Sequence, residues 1–212
     1  MRCLAMSDTH GRHSKIFFYE NKIDTIIHSG DFTSWGSHKK EPFIEFINWY
    51  ADLPIKNKIL IAGNHDYFIE RNNHSARLMM KELGIIYLED SSIVIDGIKF
   101  YGSPWTPVYL NLAFMKEDFD LQEIYEKIDL DTNVLISHGP PKGILDKSKN
   151  LMRVGSSSLR RKLKDLKKLK FVVFGHVHES RGRQTIMDVS YINASLRGLE
   201  NHFVFEVFPE VN

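Results

Sequence analysis

The stretch Ile59-Leu60-Ile61-Ala62-Gly63-Asn64-His65-Asp66 restricts the fold more than any other part of the chain. Four apolar residues read as a short buried strand. Gly63 ends it, because glycine permits a tight turn and close backbone approach. Asn64, His65 and Asp66 follow at once, so the edge of a sheet presents three functional groups. The arrangement recurs at Met6-Ser7-Asp8-Thr9-His10-Gly11, His28-Ser29-Gly30-Asp31, Ile136-Ser137-His138-Gly139 and Phe174-Gly175-His176-Val177-His178. Five apolar runs that each end in oxygen or imidazole donors need one common cause, and a shared metal site is the simplest.

The elements between these strand ends follow from periodicity. Cys3 to Met6, Ile23 to His28 and Asn57 to Ala62 read as buried strands. Ser37 to Asp52 reads as a helix, with Phe43, Phe46, Ile47 and Tyr50 on one face and Pro42 in its first turn. Ser37 with Glu41 is an approximate capping signal. Ser75 to Leu83 is a second helix, closed by Gly84. From Ile85 the period shortens. Ile85 to Leu88, Ile93 to Ile95 and Ile98 to Tyr101 are strands, and Asp96-Gly97 is a hairpin turn between the last two. Gly102 to Pro107 is expected as a loop, Leu121 to Ile128 as a helix and Asn133 to Ser137 as a strand. His138 to Gly155 is a long Gly- and Pro-containing loop, the kind that carries function. Ser156 to Leu169 is expected as a helix, Phe171 to Phe174 as a strand, and Thr185 to Phe208 as β structure, with Phe203, Phe205 and Val207 in the core. This order predicts an α/β (α+β) fold, two mixed sheets face to face with helices outside, in one domain over residues 1–212.

Charge and cysteine content narrow the surroundings. Twenty-eight Lys and Arg against 27 Asp and Glu leave a formal charge of +1, so no global field selects nucleic acid or an anionic membrane. The one cysteine, Cys3, excludes an intramolecular disulfide and fits a reducing compartment. With no apolar run long enough for a leader or a span near the N-terminus, a cytoplasmic protein without membrane attachment is expected. Oligomeric state is left open.

Seven donors stand at the strand ends: Asp8, His10, Asp31, Asn64, His138, His176 and His178. Asp8 with His10, and His176 with His178, sit at i and i+2, where an extended or turning backbone can bring both to one side. Two carboxylates, one amide and four imidazoles without a thiolate suit manganese, iron or zinc. Seven donors exceed one tetrahedral site and suit two ions, which can clamp a phosphoryl group.

Taken in order, Asp8-x-His10, Gly30-Asp31, Gly63-Asn64-His65-Asp66, His138 and Gly175-His176-x-His178 resemble the motif set of the calcineurin-like metallophosphoesterases, from Ser7 to about Ser195. Gly102-Ser103-Pro104-Trp105, His138-Gly139-Pro140-Pro141 with Gly143, Leu145 and Asp146, His178-Glu179 and Asn193-Ala194-Ser195 resemble the MPPED branch, to which hydrolysis of cyclic nucleotides or other phosphodiesters has been assigned. The resemblance implies a four-layer α/β/β/α sandwich and two divalent ions, manganese first, with iron, zinc or nickel as alternatives. One ion would take Asp8, His10, Asp31 and His178, the other Asp31, Asn64, His138 and His176, with Asp31 bridging. A hydroxide between them would attack phosphorus in line, while His65 holds the phosphate and protonates the leaving oxygen as general acid. The partner implied is a small phosphate ester.

One departure matters. The protein-phosphatase branch has a second Asp after its Gly-Asp, which orients the acid histidine. Here the run is Gly30-Asp31-Phe32-Thr33-Ser34-Trp35-Gly36, without it. Asp66 is the candidate for that role, with turn or helix capping as the rival reading. The alternatives to a phosphodiesterase are a phosphomonoesterase or protein phosphatase of the same fold, or a non-catalytic scaffold; His65 and all seven ligand positions are filled, against the scaffold. His13, His28, His38, His74 and His202 fall outside the pattern and are assigned to structure or surface. Arg160, Arg161, Lys162, Lys164, Lys167, Lys168 and Lys170 are read as the wet face of a helix whose Leu159, Leu163 and Leu166 form the buried stripe. Trp35, Trp105, Pro140 and Pro141 lie beside the motifs as either pocket walls, with Trp105 stacking on a base, or simple loop packing.

Overall fold

The computed structural model describes residues 1–16, 22–35, 37–196 and 202–209. In chain order the elements are β1 (Arg2–Met6), β2 (Thr25–Ser29), α1 (Lys40–Asp52), β3 (Asn57–Ile61), α2 (Tyr67–Arg71), α3 (Asn73–Glu82), β4 (Ile86–Tyr87), β5 (Ser91–Ile95), β6 (Ile98–Ser103), β7 (Thr106–Pro107), β8 (Met115–Lys116), α4 (Asp118–Glu126), β9 (Val134–Ser137), α5 (Ser157–Lys162), β10 (Phe171–Phe174), β11 (Gly182–Ile186), β12 (Val189–Asn193) and β13 (Phe203–Glu206). They build a five-stranded sheet in the order β13-β1-β2-β3-β4 and a six-stranded sheet in the order β11-β12-β10-β9-β6-β5.

Alternation along the strands stacks these sheets. Cys3, Ala5, Ile27, Ile59 and Ile61 point from the first sheet into a shared core with Phe100, Val134, Ile136, Val173 and Ile192 from the second. The other face of the first sheet, with Leu4, Met6, Ile26 and Leu60, packs on Phe43, Phe46, Ile47 and Tyr50 of α1 and on α2 and α3. The other face of the second sheet, with Tyr101, Leu135, Val172 and Phe174, packs on Leu121 and Tyr125 of α4 and Leu159 of α5. Three apolar layers between four structural layers give the expected α/β/β/α sandwich. Strands buried on both faces explain why the sequence reads as unbroken apolar runs.

The strands that carry the motifs run parallel: β1 with β2, β2 with β3, β6 with β9, and β9 with β10. Their carboxyl ends lie together, the position where open α/β sheets place ligands. Gly175 N–H donates to the His138 carbonyl at 3.0 Å within the second sheet, and Ser7 pairs with Ser195, which ties the ends of the two sheets across the sandwich.

Several elements differ from expectation. α1 starts at Lys40, not Ser37, and its N-cap, Lys39, has no side-chain cap. α2 is an additional turn of helix directly after the Asp66 motif. β6 extends through Ser103, and Thr106–Pro107 pairs with Met115–Lys116 where a loop was expected. α5 ends at Lys162, and only turns continue toward Leu169. The leucine stripe is nevertheless buried at Leu159, Leu163 and Leu166, because successive turns hold the same spacing. Phe205 and Val207 are core, whereas Phe203 is half-buried. Gly36 and the part of the expected C-terminal β tail at 197–201 lie outside the described residues.

Phe100 is fully buried between the sheets, and Phe119 is 80% exposed. In urea denaturation, Phe100→Ala is expected to lose about 3–5 kcal/mol, and Phe119→Ala to stay within about 0.5 kcal/mol of the parent.

Candidate metal centre

The turns that leave the strands are strained toward one point. Asp8, His10, Asp31 and His176 all adopt positive φ, at 56°, 44°, 57° and 69°. Non-glycine residues seldom occupy this region, and they do so where surrounding contacts over-determine the backbone. Here the contacts are explicit. Asp8 N–H donates to the Gly30 carbonyl at 2.9 Å and His10 N–H to the Asp31 carbonyl at 3.0 Å. His176 N–H donates to both Asp8 carboxylate oxygens, at 3.2 and 3.0 Å. Glycine makes the approach possible: a Cβ on Gly63 would collide with Asp31 Oδ1 and the His138 ring, and one on Gly175 with Ser7 Oγ and Asp8 Oδ2.

Two donor groups result, Asp8 with His10 and His178, and Asp31 with His138 and His176. In the first, His178 Nε2 lies 3.1 Å from Asp8 Oδ1 and 3.3 Å from His10 Nε2. In the second, His138 Nε2 lies 2.8 Å from Asn64 Oδ1 and 3.4 Å from Asp31 Oδ2. His138 Nδ1 faces the Ser29 carbonyl at 2.9 Å. That bond engages Nδ1 and leaves Nε2 facing the centre, the atom through which the ring would bind a metal. All seven sequence-predicted donors therefore meet at this edge, Asn64 through His138.

The donor set fits cations. Each group gathers oxygen and nitrogen lone pairs at 2.8–3.4 Å in a buried setting, which is repulsive without positive charge. In each group one imidazole supplies it. Burial works against the charged form of His138, but the Asp31 carboxylate beside it raises its pKa to about 9. Burial likewise opposes charge on His178, and the bond to Asp8 outweighs it and raises the pKa. Asp8 is buried, which disfavours its anion, yet the bond to His178 and the nearby imidazoles hold its carboxyl well below the usual range. Among the described residues, the buried His10 Nδ1 and Asn64 Nδ2 have no hydrogen-bond partner.

His65 sits beside the centre without belonging to either group. Its Nε2 is 3.9 Å from Asp31 Oδ2, and its backbone N–H donates to Asp31 Oδ1 at 2.7 Å. Burial lowers its pKa against the pull of Asp31, and Nδ1 has no hydrogen-bond partner among the described residues.

Asp66 does something other than orient His65. Its carboxylate accepts the backbone N–H of Asp31 at 2.8 Å, of Gly63 at 2.8 Å and of Thr33 at 3.1 Å, with the Thr33 hydroxyl at 2.9 Å. It is wholly buried, and these donors fill its acceptor sites. It holds two donor-bearing turns together, a positioning role, and it does not cap α2 with its side chain. Thr33 and His28 share this work without a sequence signal that marks them. Gly30 N–H donates to His28 Nδ1 at 3.3 Å, which leaves Nε2–H for Thr9 Oγ1 at 3.2 Å. Burial pushes the His28 pKa down to about 3, so the ring is neutral.

The aromatic neighbours divide between the two readings, pocket wall and loop packing. Trp105 donates Nε1–H to Asp90 at 2.7 Å and packs on Phe114, with the Lys116 ammonium over its ring. It is a scaffold residue. Pro140 and Pro141 are buried in the strap that pairs with Ser156. Trp35 is the residue that reaches the site, stacked on His10 at 4.8 Å and tilted on His65 at 4.5 Å.

Two candidate metal-ligand groups thus stand at the carboxyl ends of the paired sheets. The model of the calcineurin-like phosphoesterase family matches residues 1–180, and the chain belongs to that family. It is 32% identical to metallophosphoesterase domain-containing protein 1 of Homo sapiens, over 92% of this chain and 66% of that protein. It is 36% identical to a probable rhamnogalacturonate lyase C of Emericella nidulans, over 88% of this chain but only 18% of that protein. The chain thus spans less than two thirds of both relatives. Among solved structures, a protein of Thermus thermophilus superposes with a TM-score of 0.66 at 14% identity, covering 91% of this chain and 88% of that one. A structure described as a novel archaeal phosphodiesterase superposes with a TM-score of 0.50 at 23% identity, covering 91% and 82%. Among the described residues no helix is long and apolar enough to cross a membrane.

Two outcomes follow from this geometry. Gly63→Ala is expected to weaken Mn²⁺ binding by about 10- to 100-fold in calorimetric titration, with the far-ultraviolet circular dichroism of the parent. Neutral His28 stabilises the fold above its unfolded pKa of 6.5, and this stability is lost as pH falls below that value. At pH 5 the loss is about 2 kcal/mol, and His28→Gln is expected to flatten the decline of Tm between pH 7 and 5.

Proposed function

We propose that this chain is a dinuclear, metal-dependent phosphoesterase that hydrolyses phosphodiesters in preference to monoesters. The observation that carries the reading is the pair of donor groups with His65 beside them. Family membership supports hydrolysis of a phosphoric ester. The preference for diesters rests on the MPPED-like loops, with support from a fold relative that is itself described as a phosphodiesterase.

Asp8, His10 and His178 would hold one divalent ion, and Asn64, His138 and His176 the other, with Asp31 shared. The oxygen and imidazole set suits Mn²⁺. When bound, such a pair supplies Lewis acidity toward phosphoryl oxygens and activates water for in-line attack. The protein supplies the rest. Asp66 and Thr33 lock the Asp31 and Gly63 turns, so the donors do not relax as charge moves. His65 faces the same space and donates a ring N–H to a phosphate oxygen. A bound phosphate anion favours the protonated ring, against the desolvation that lowers the pKa of His65 in the free protein. The charged ring then delivers its proton to the departing oxygen.

Turnover of bis-p-nitrophenyl phosphate with Mn²⁺ tests this. The parent is expected to turn over, chelation to abolish activity, and His65→Ala to lower kcat by about 10²- to 10⁴-fold while Mn²⁺ stoichiometry stays at two. A fully loaded protein that hydrolyses neither diesters nor monoesters would sink the enzymatic reading in favour of a scaffold.

A further inference from the structure

Two large aromatic side chains stand in water against the site. Trp35 is 68% exposed, yet its ring lies 4.8 Å from His10, 4.5 Å from His65 and 6.4 Å from His178. Tyr109 is 54% exposed, and its ring lies 5.6 Å from His176. The first ring therefore borders the donor group of Asp8, His10 and His178, and the second borders the group of Asp31, His138 and His176. They flank the centre from different donor groups.

Both are held by the backbone of the site itself. The turn before Trp35 is anchored by Thr33 N–H to Asp66, and Gly11 N–H donates to the Phe32 carbonyl at 2.9 Å. The Tyr109 loop joins β7 to β8. Ala113 N–H donates to the Asn64 carbonyl at 3.2 Å, and Phe114 N–H to Glu70 Oε1 at 2.7 Å. Side chains whose function was core packing would be covered, as Trp105 largely is by Phe114, Asp90 and Lys116. Aromatic faces left in water beside polar ligands are suited to a flat ring brought by a substrate, since stacking removes apolar surface from water on both partners.

We infer that Trp35 and Tyr109 form two walls that bind an aromatic ring carried by the ester, and so set the specificity of the centre toward aryl or heteroaryl phosphates. The inference rests on the phosphoesterase reading above. The phosphoryl group would sit among the donors, and the ring attached to it would lie along Trp35, Tyr109 or both. Esters with small aliphatic groups gain nothing from these walls.

The test uses the Mn²⁺-loaded protein with phenylphosphonate and methylphosphonate, which differ by the ring and carry a P–C bond that hydrolysis leaves intact. Calorimetry is expected to show phenylphosphonate binding about tenfold tighter in the parent. Trp35→Ala and Tyr109→Ala should each cut that ratio several-fold, and Trp35→Phe should keep most of it. With bis-p-nitrophenyl phosphate the alanine variants should raise KM more than they lower kcat. A ratio unchanged in both alanine variants overturns the inference while the phosphoesterase reading stands. A loaded parent that binds neither phosphonate and turns over no ester overturns both, and the parent alone reveals that outcome.

Discussion

The structure is governed by the electrostatic problem of placing carboxylates, an amide oxygen and four imidazoles in one buried corner. Asp8, Asp31, Asn64 and His138 are almost entirely shielded from water. Uncompensated, such acceptors repel one another and forfeit hydration. Three devices answer this. Backbone N–H groups of His65 and His176 donate to the two carboxylates. Imidazoles shift toward the charged form at one position in each donor group. The remaining lone pairs point at common spaces that suit divalent cations.

The sandwich makes this corner possible. Parallel pairing sends the carboxyl ends of β1, β2, β3, β9 and β10 to the same side, and the core between the sheets fixes their spacing. The turns can then be strained without unfolding, because each is braced by bonds to a neighbouring turn. Four donor residues with positive φ are stable only in that network. Asp66 is its hub, joining the turn after β2 to the turn after β3.

Much of the layering was legible in the sequence because strand and helix periods are local. Cys3 and Ala5 face one layer while Leu4 and Met6 face the other, as alternation requires. Gly84 closes its helix with φ at +71°. Errors fell at boundaries and in loops. α5 stopped early although its leucines kept their face, and β7 with β8 formed from Thr106-Pro107 and Met115-Lys116, pairs too short to carry a pattern. His28 and Thr33 gave no signal, because their value lies in contacts with Gly30, Thr9, His65 and Asp66 and not in any spacing.

What the sequence determined by itself is the set of donors, their chemistry and their place at strand ends, since residue type and the end of an apolar run are one-dimensional facts. Tertiary structure alone decided the grouping. His178 meets Asp8 across 170 positions, and His138 meets Asn64 across 74. It also decided that Asp66 braces backbone and leaves the His65 ring alone, and that Trp35, not Trp105, faces the site. Those outcomes depend on the direction in which a side chain leaves a strained turn, and that direction is set by sheet register and packing far away in the chain.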